Sequence, residues 1–239
     1  LHKARVDLIC VDSSHGQHNL VWDAVAVIRS HFSDMEIMAG NVATAEGAEH
    51  LIKNGANGIR VGVGPGSICT TRLQTGFGVA QLTAIMEVAK VCANHGIGLN
   101  ADGGIRYSGD VVKALAAGAN SVMCGSMFAG CKEAPGERLR INGQLFKTYR
   151  GMGSIEALKQ NSERYNLGEE KNGQLDLVPE GIVGKVPYSG PLSDQLCLFI
   201  GGLKRGMQHA GARTIAELQQ KAHFMVGTAN NLREYHPQA

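Results

Sequence analysis

The strongest constraint on this chain is a repeat of character rather than of sequence. A short β-branched run, a glycine-rich or polar loop and an amphipathic stretch succeed one another again and again. Strands are predicted to begin near positions 6, 36, 58, 98 and 121, about 29 residues apart on average, the size of one strand–helix unit. The run 6–11 is apolar enough for a strand buried on both faces. Residues 19–32 carry Leu20, Ala24, Val27 and Ile28 at helical spacing. A strand over 36–40 leads to Thr44, which reads as the N-cap of a helix over 45–54 stopped by Gly55. The alternation continues with a strand over 58–61, a helix over 79–95 closed by Gly96 and a strand over 98–101. A helix over 109–117 capped by Ser108 and a strand over 121–124 complete it. Such alternation implies a parallel sheet with right-handed crossovers.

The residues at the end of each strand narrow the fold. Asp12-Ser13-Ser14-His15-Gly16, Gly40-Asn41, Gly62 to Gly66, Asp102-Gly103-Gly104 and Gly125-Ser126 all lie just past a strand's C-terminal end. In a (β/α)8 barrel such loops gather on one face, where the active site sits. In an open doubly wound sheet they meet only at a switch point. Five loaded loops favour an α/β fold of the TIM-barrel type, this chain supplying about the last five units. Five units do not close such a barrel, so about three are expected upstream or in another chain; Leu1 reads as lying inside an element already under way. After Met123 the rhythm breaks. A hairpin is predicted over 135–149 with its turn at Asn142-Gly143, then a short helix over 154–160. The polar, glycine-rich stretch 162–191 reads as a lid, followed by an apolar helix over 192–210, a capped helix over 214–221 and a polar tail. The whole of 1–239 is read as one C-terminal part of a single catalytic domain.

Composition excludes several functions. With 23 basic and 21 acidic side chains the net charge is +2, which gives no footprint for nucleic acid or an anionic membrane. No apolar run reaches the length of a membrane span. The six cysteines form no CxxC pair, which argues against a zinc ribbon or disulfide framework and fits a reducing, cytoplasmic setting. The nine histidines show no HxH or HExxH spacing for a metal triad.

The densest chemical signal is Gly62-Val63-Gly64-Pro65-Gly66-Ser67-Ile68-Cys69-Thr70-Thr71-Arg72. Glycines at alternate positions turn backbone amides and carbonyls toward a ligand or ion. A cysteine on such a loop is placed as a nucleophile, with Arg72 and neighbouring amides favouring its thiolate. The other five cysteines sit in apolar runs and read as core filler. Gly125-Ser126 and the glycines after Asp102 suit a phosphate site, and Asp102 suits ribose hydroxyls ahead of the alternative of a helix N-cap. His15 and His18 read as solvated or core residues.

Taken together, Gly64 to Arg72, Ala101-Asp102-Gly103-Gly104-Ile105-Arg106, Tyr149-Arg150-Gly151-Met152-Gly153-Ser154 and Pro179-Glu180-Gly181 resemble the IMP dehydrogenase / GMP reductase family in order and spacing, over essentially all 239 residues. The pair Arg164-Tyr165 within a long flap resembles the dehydrogenase branch, since the reductase lacks that flap. The resemblance implies oxidation of inosine 5′-monophosphate (IMP) to xanthosine 5′-monophosphate with NAD. Cys69 would attack C2 of the purine, with Thr71 and Tyr165 beside Arg164, the base that activates water. Ser67, Asp102, Gly103, Gly104, Gly125, Ser126, Tyr149, Arg150, Gly151, Met152 and Gly153 would bind the nucleotide, and Glu180 its base. Asp12, Ser13, Ser14, Asn41, Arg60, Gly62, Val63 and Gly64 would line the NAD site. Carbonyls of Gly64, Gly66 and Cys69 would hold a potassium ion, completed by Glu234, Tyr235 and His236 of a neighbouring subunit in a homotetramer. Tyr235 stands where the family commonly has serine, and Gly78-Val79-Ala80 where it usually has Gly-Val-Pro. The regulatory CBS pair of most members has no counterpart in these residues. The alternatives are an NADPH-dependent GMP reductase and a noncatalytic nucleotide-binding fragment.

Overall fold

The computed structural model describes residues 5–160 and 178–228. Five strands form one parallel sheet in chain order: β1 (Leu8–Asp12), β2 (Glu36–Val42), β3 (Gly58–Val61), β4 (Gly98–Asp102) and β5 (Ser121–Met123). Their registers pair Leu8 with Glu36, Met38 with Gly58, Gly58 with Gly98 and Asn100 with Ser121, so all five start on one rim, with β3 and β5 each beginning opposite the third residue of the strand before. Between them run α1 (Asn19–His31), α2 (Ala45–Lys53), the short α3 (Thr71–Thr75) with α4 (Gln81–His95), and α5 (Ser108–Ala116).

The helices cover one face of the sheet because side chains alternate along each strand. Ile37, Ile59, Val61, Leu99 and Ala101 join Val25, Leu51, Ile85, Val88 and Leu115 in a single core. Each large aliphatic side chain buried this way contributes about 1.5–3 kcal/mol. The opposite face differs from expectation at β1, where Ile9 is buried but Leu8 and Cys10 are exposed. β1 lies at the sheet's edge, and no described element covers its far side. At the starting rim, Leu8, Glu36, Met38, Gly58, Gly98, Asn100 and Ser121 line a cavity.

Helix ends follow local chemistry. The Thr44 hydroxyl accepts from the Gly47 amide at 3.2 Å, as a capping threonine should, and Gly55 sits beyond the helix at φ 106°. Ser108 is the first helical residue of α5 rather than its cap. The Asp110 carboxylate takes the amides of Arg106 and Tyr107, at 3.0 and 3.1 Å, and draws the boundary back to Tyr107. His18, read as solvated or core, caps α1 through Nδ1, which accepts from the Leu20 amide at 3.2 Å.

A second sheet comes after α6 (Ser126–Ala129). The hairpin β6 (Arg138–Ile141) and β7 (Gln144–Arg150) turns at Asn142 and Gly143, both with positive φ, as a tight primed turn demands. Beyond α7 (Ile155–Gln160), part of the stretch read as a structureless lid forms β8 (Val183–Pro187), antiparallel to β7. The long α8 (Leu192–His209) packs on α5, and α9 (Ile215–Lys221) closes the described chain. The Leu192 amide donates to Glu133 at 2.9 Å, and that bond holds the Glu133 carboxyl below its usual range.

Candidate functional site

Cys69 lies half-buried on the loop between β3 and α3. Its amide bonds to the Gly66 carbonyl at 3.1 Å, which closes the tip of the loop. The sulfur lies 3.1 Å from the Thr71 hydroxyl, and that hydroxyl donates to Glu180 Oε2 at 2.7 Å. Thiol, hydroxyl and carboxylate thus form one chain of contacts, although Glu180 is 109 positions from Thr71 in sequence.

Backbone bonds weave three segments together around this chain. Thr70 donates to the Glu180 carbonyl (2.9 Å), Ile182 to Ile68 (3.0 Å), Gly151 to Ile182 (2.9 Å) and Glu180 to Gly153 (3.0 Å). The approach is close enough that a Cβ at Gly151 would lie 3.2 Å from the Ile68 carbonyl, and one at Gly153 3.2 Å from Glu180 backbone. That explains the glycines of Tyr149-Arg150-Gly151-Met152-Gly153 better than turn geometry does. Met152 stands exposed beside them, while Arg150 reaches Gln160 at 2.5 Å.

The same loop meets the ends of β4 and β5. A Cβ at Gly103 would lie 3.0 Å from the Pro65 ring, and the Gly103 amide bonds to Met123 at 3.1 Å. Gly103 and Gly104 both hold positive φ. Gly125 lies so near Tyr149 that a Cβ there would run into the phenol hydroxyl. That hydroxyl shares a hydrogen bond with Ser67. Burial pushes the Tyr149 pKa up, the Ser67 bond opposes this, and the charge of Asp102 adds to it, so the phenol remains a donor. Ser67, Gly103, Gly104, Gly125, Ser126 and Tyr149 are thereby brought to one side of the cysteine loop.

From Asp102, beside these residues, a charged network runs toward the end of β1. Asp102 Oδ2 accepts from Arg60 at 2.7 Å and from Asn41 at 2.8 Å, and it caps no helix. Arg60 reaches Asp12 with its other terminal nitrogen at 2.8 Å. Burial works against the charge of Arg60, yet the hydrogen bond and charge of Asp102, with Cys10 and Asp12 behind them, raise its pKa above the ordinary arginine value. The loop after β1 joins through the Asn41 amide, bonded to the Ser13 carbonyl at 2.8 Å. The Ser13 hydroxyl is engaged locally with His15 at 3.3 Å, and Ser14 is exposed. Gly62 and Val63 are buried, whereas Gly64 is partly open. Asn41 Oδ1 is buried without a partner among the described residues.

Some expectations change. Arg72, expected as a charge beside the thiol, donates to the Val63 carbonyl at 3.1 Å and the Val79 carbonyl at 2.5 Å, so it staples the loop's ends together. Only some of the other cysteines are core filler. Cys92 and Cys131 are buried, and burial pushes the Cys92 thiol up to about 11, its own backbone bond opposing. Cys10 and Cys197 are exposed, the first on the uncovered face of β1 and the second on the outer side of α8. Gln81 was not singled out from sequence, yet its Nε2 donates to the carbonyls of Val61 and Asp102 at 2.9 and 3.0 Å and ties two strand ends. Its position at the first turn of α4, just past the glycine loop, was the available signal. Arg164, Tyr165, Glu234, Tyr235 and His236 lie outside the described residues. Among the described residues no three His, Cys, Asp or Glu side chains cluster as metal ligands, and no helix is long and apolar enough to cross a membrane.

Known proteins match this arrangement closely. Residues 1–238 match the IMP dehydrogenase / GMP reductase domain. The inosine-5′-monophosphate dehydrogenase of Aquifex aeolicus is 52% identical over 236 residues, covering 99% of this chain and 48% of that protein. That of Borreliella burgdorferi is 48% identical over 237 residues, covering 99% of this chain and 59% of that protein. A crystal structure of a cysteine-to-alanine variant of GMP reductase from Trypanosoma brucei, in complex with guanosine 5′-monophosphate, superimposes with a TM-score of 0.91 at 40% identity. It covers 100% of this chain and 48% of that one, so the chain spans about half the length of most relatives it matches. With a family domain matched along nearly every residue and relatives about half identical, the chain belongs to the IMP dehydrogenase / GMP reductase family.

Proposed function

We propose that the full-length protein oxidises IMP to xanthosine 5′-monophosphate with NAD through a covalent bond to Cys69. The observation that carries this reading is the contact chain from the Cys69 sulfur through Thr71 to Glu180, set on a loop that also meets Asp102 and Tyr149. The sulfur adds to C2 of the purine, and the thiol proton has a path through Thr71 to the Glu180 carboxylate. When bound, NAD accepts the hydride that leaves C2. Water then adds to C2, the carbon–sulfur bond breaks and the thiol is restored. The balance is IMP, NAD+ and water giving xanthosine monophosphate, NADH and a proton. Arg164 and Tyr165 are assigned to water activation on the family resemblance.

The two sides of the loop divide the ligands. Asp102 faces ribose, and Gly125, Ser126, Ser67 and Tyr149 supply phosphate donors. The Asp12, Asn41 and Arg60 side suits the dinucleotide, since Asn41 Oδ1 is a buried acceptor awaiting a donor. The carbonyls of Gly64, Gly66 and Cys69 are hard oxygen donors on one turn, the chemistry a potassium ion takes, with Glu234, Tyr235 and His236 completing the set from a neighbouring subunit. The parallel strands in chain order, with both edges open to further pairing among the described residues, are read as the C-terminal part of a (β/α)8 barrel within a homotetramer. Six cysteines without a disulfide among those described support a cytoplasmic setting.

The TM-score of 0.91 to a reductase bound to guanosine 5′-monophosphate favours the second reading, an NADPH-dependent GMP reductase. Arg164-Tyr165 and the dehydrogenase relatives favour the first. One experiment separates them. Full-length protein is assayed with IMP plus NAD and with GMP plus NADPH, and quenched samples are searched by mass spectrometry for a nucleotide adduct. The expected result is turnover only with IMP plus NAD and an adduct on the Cys69 peptide that Cys69→Ala abolishes. An adduct that survives Cys69→Ala overturns the nucleophile, and turnover only with GMP reverses the direction. Tight IMP binding with no turnover in either assay would leave a noncatalytic nucleotide-binding protein.

A further inference from the structure

Lys147 is the largest fully buried side chain among the described residues, at 2% exposure. Lysine is almost never fully buried unless paired, because its ammonium loses hydration. Its hydrogen-bond partners here are carbonyls, and the Glu133 carboxylate on the same turn acts on it through charge alone. Nζ donates to the Cys131 carbonyl at 2.8 Å and to that of Ala134. Both belong to the turn after α6, the short element that begins at the candidate phosphate residues Gly125 and Ser126.

Residues i and i+2 of a strand face the same way. Lys147 and Tyr149 therefore leave β7 on one face, and each engages one end of the same segment. Tyr149 lies against Gly125 and bonds to Ser67, while Lys147 holds the carbonyls at 131 and 134. The turn is also held by the chain just after β8, where the Lys132 amide donates to the Gly190 carbonyl at 2.7 Å and the Ser189 amide to the Gly130 carbonyl at 2.9 Å. β7 is itself pinned by pairing on both sides, Lys147 opposite Arg138 and Val186. A buried methionine would fill the same space without the desolvation penalty of an ammonium, so packing alone does not account for lysine here.

We propose that Lys147 is the positioning residue of the nucleotide-phosphate subsite: it locks the 125–134 segment to β7 so that Gly125, Ser126 and Tyr149 present their donors together. The inference rests on the reading of those three residues as phosphate ligands. The phosphate is not touched by Lys147 itself.

The test uses the full-length protein with Lys147→Met and Lys147→Gln, the second retaining a neutral donor in case the first does not fold. Equilibrium binding of IMP is compared with that of inosine, which lacks the phosphate, and amide hydrogen exchange is measured across 125–134 without ligand. The expected result is an IMP affinity at least tenfold weaker, an inosine affinity within twofold of the parent, and faster exchange confined to 125–134. Equal loss for IMP and inosine marks a merely structural role and overturns the proposal, as does unchanged exchange. A parent protein that binds inosine as tightly as IMP, with exchange still accelerated in the variants, instead overturns the phosphate assignment on which the proposal rests.

Discussion

Thr71 stands between the sulfur and the carboxylate, and its hydroxyl is the only group that touches both among the described residues. A valine there keeps the shape and removes the bridge. Thr71→Val is expected to lower kcat about 100-fold, the low end for a lost proton-transfer group, with KM for IMP within threefold. Steady-state kinetics check this; a raised KM with kcat unchanged would make Thr71 a binding residue. At this scale the sequence was informative where chemistry is local. A cysteine among alternating glycines is conspicuous, and so is an aspartate before two glycines. Lys147 and Gln81 gave no such sign, because composition places lysine and glutamine on the surface. Their carbonyl partners are supplied by chain more than a dozen positions away, from 131 to 147 and from 61 to 81.

Elements came through the sequence unevenly. The alternating strands and helices were legible because each carries its own periodicity and cap, as Thr44 and the Asn142-Gly143 turn do. β8 was not. Its five residues contain a glycine and a proline, its burial merely alternates between exposed and half-exposed, and its only sheet partner among the described residues lies more than thirty positions upstream. The packing of α8 was equally hidden, although Gly202 and Gly206 lie one turn apart on it. Gly202 sits directly over Ser108, and a Cβ at Gly206 would lie 2.6 Å from a Val112 methyl of α5. Gly206→Ala is therefore expected to destabilise the protein by about 1–3 kcal/mol, even though alanine is the better helix former. Urea unfolding of the full-length protein measures it, and adding Val112→Ala is expected to recover part of the loss. A stabilising Gly206→Ala would mean that α8 slides freely on α5.

For the whole molecule the most consequential side chain is Arg60. From the middle of the sheet it grips Asp12 at the end of β1 and Asp102 at the end of β4, so it spans both proposed ligand sides. Removing one partner of a fully buried pair costs about 3–5 kcal/mol. Here Asp12 is 43% exposed and Asp102 21%, so water takes back part of each charge. Arg60→Met is expected to cost about 2 kcal/mol in chemical denaturation and to weaken IMP and NAD together. An effect on one ligand alone would show that the two sides are independent. Fold class was readable at this scale because five strand ends carry functional loops, whereas the guanidinium joining those loops is one arginine among many in the sequence.

The strands have two rims with different duties. Leu8, Glu36, Gly58, Gly98 and Ser121 surround a cavity at the starting rim, while the candidate ligand loops that follow β1 to β5 leave from the finishing rim. Lesions at the first should yield heat-sensitive but competent protein, and lesions at the second sturdy but inert protein. An engineer can therefore harden this scaffold from below without touching what it recognises above.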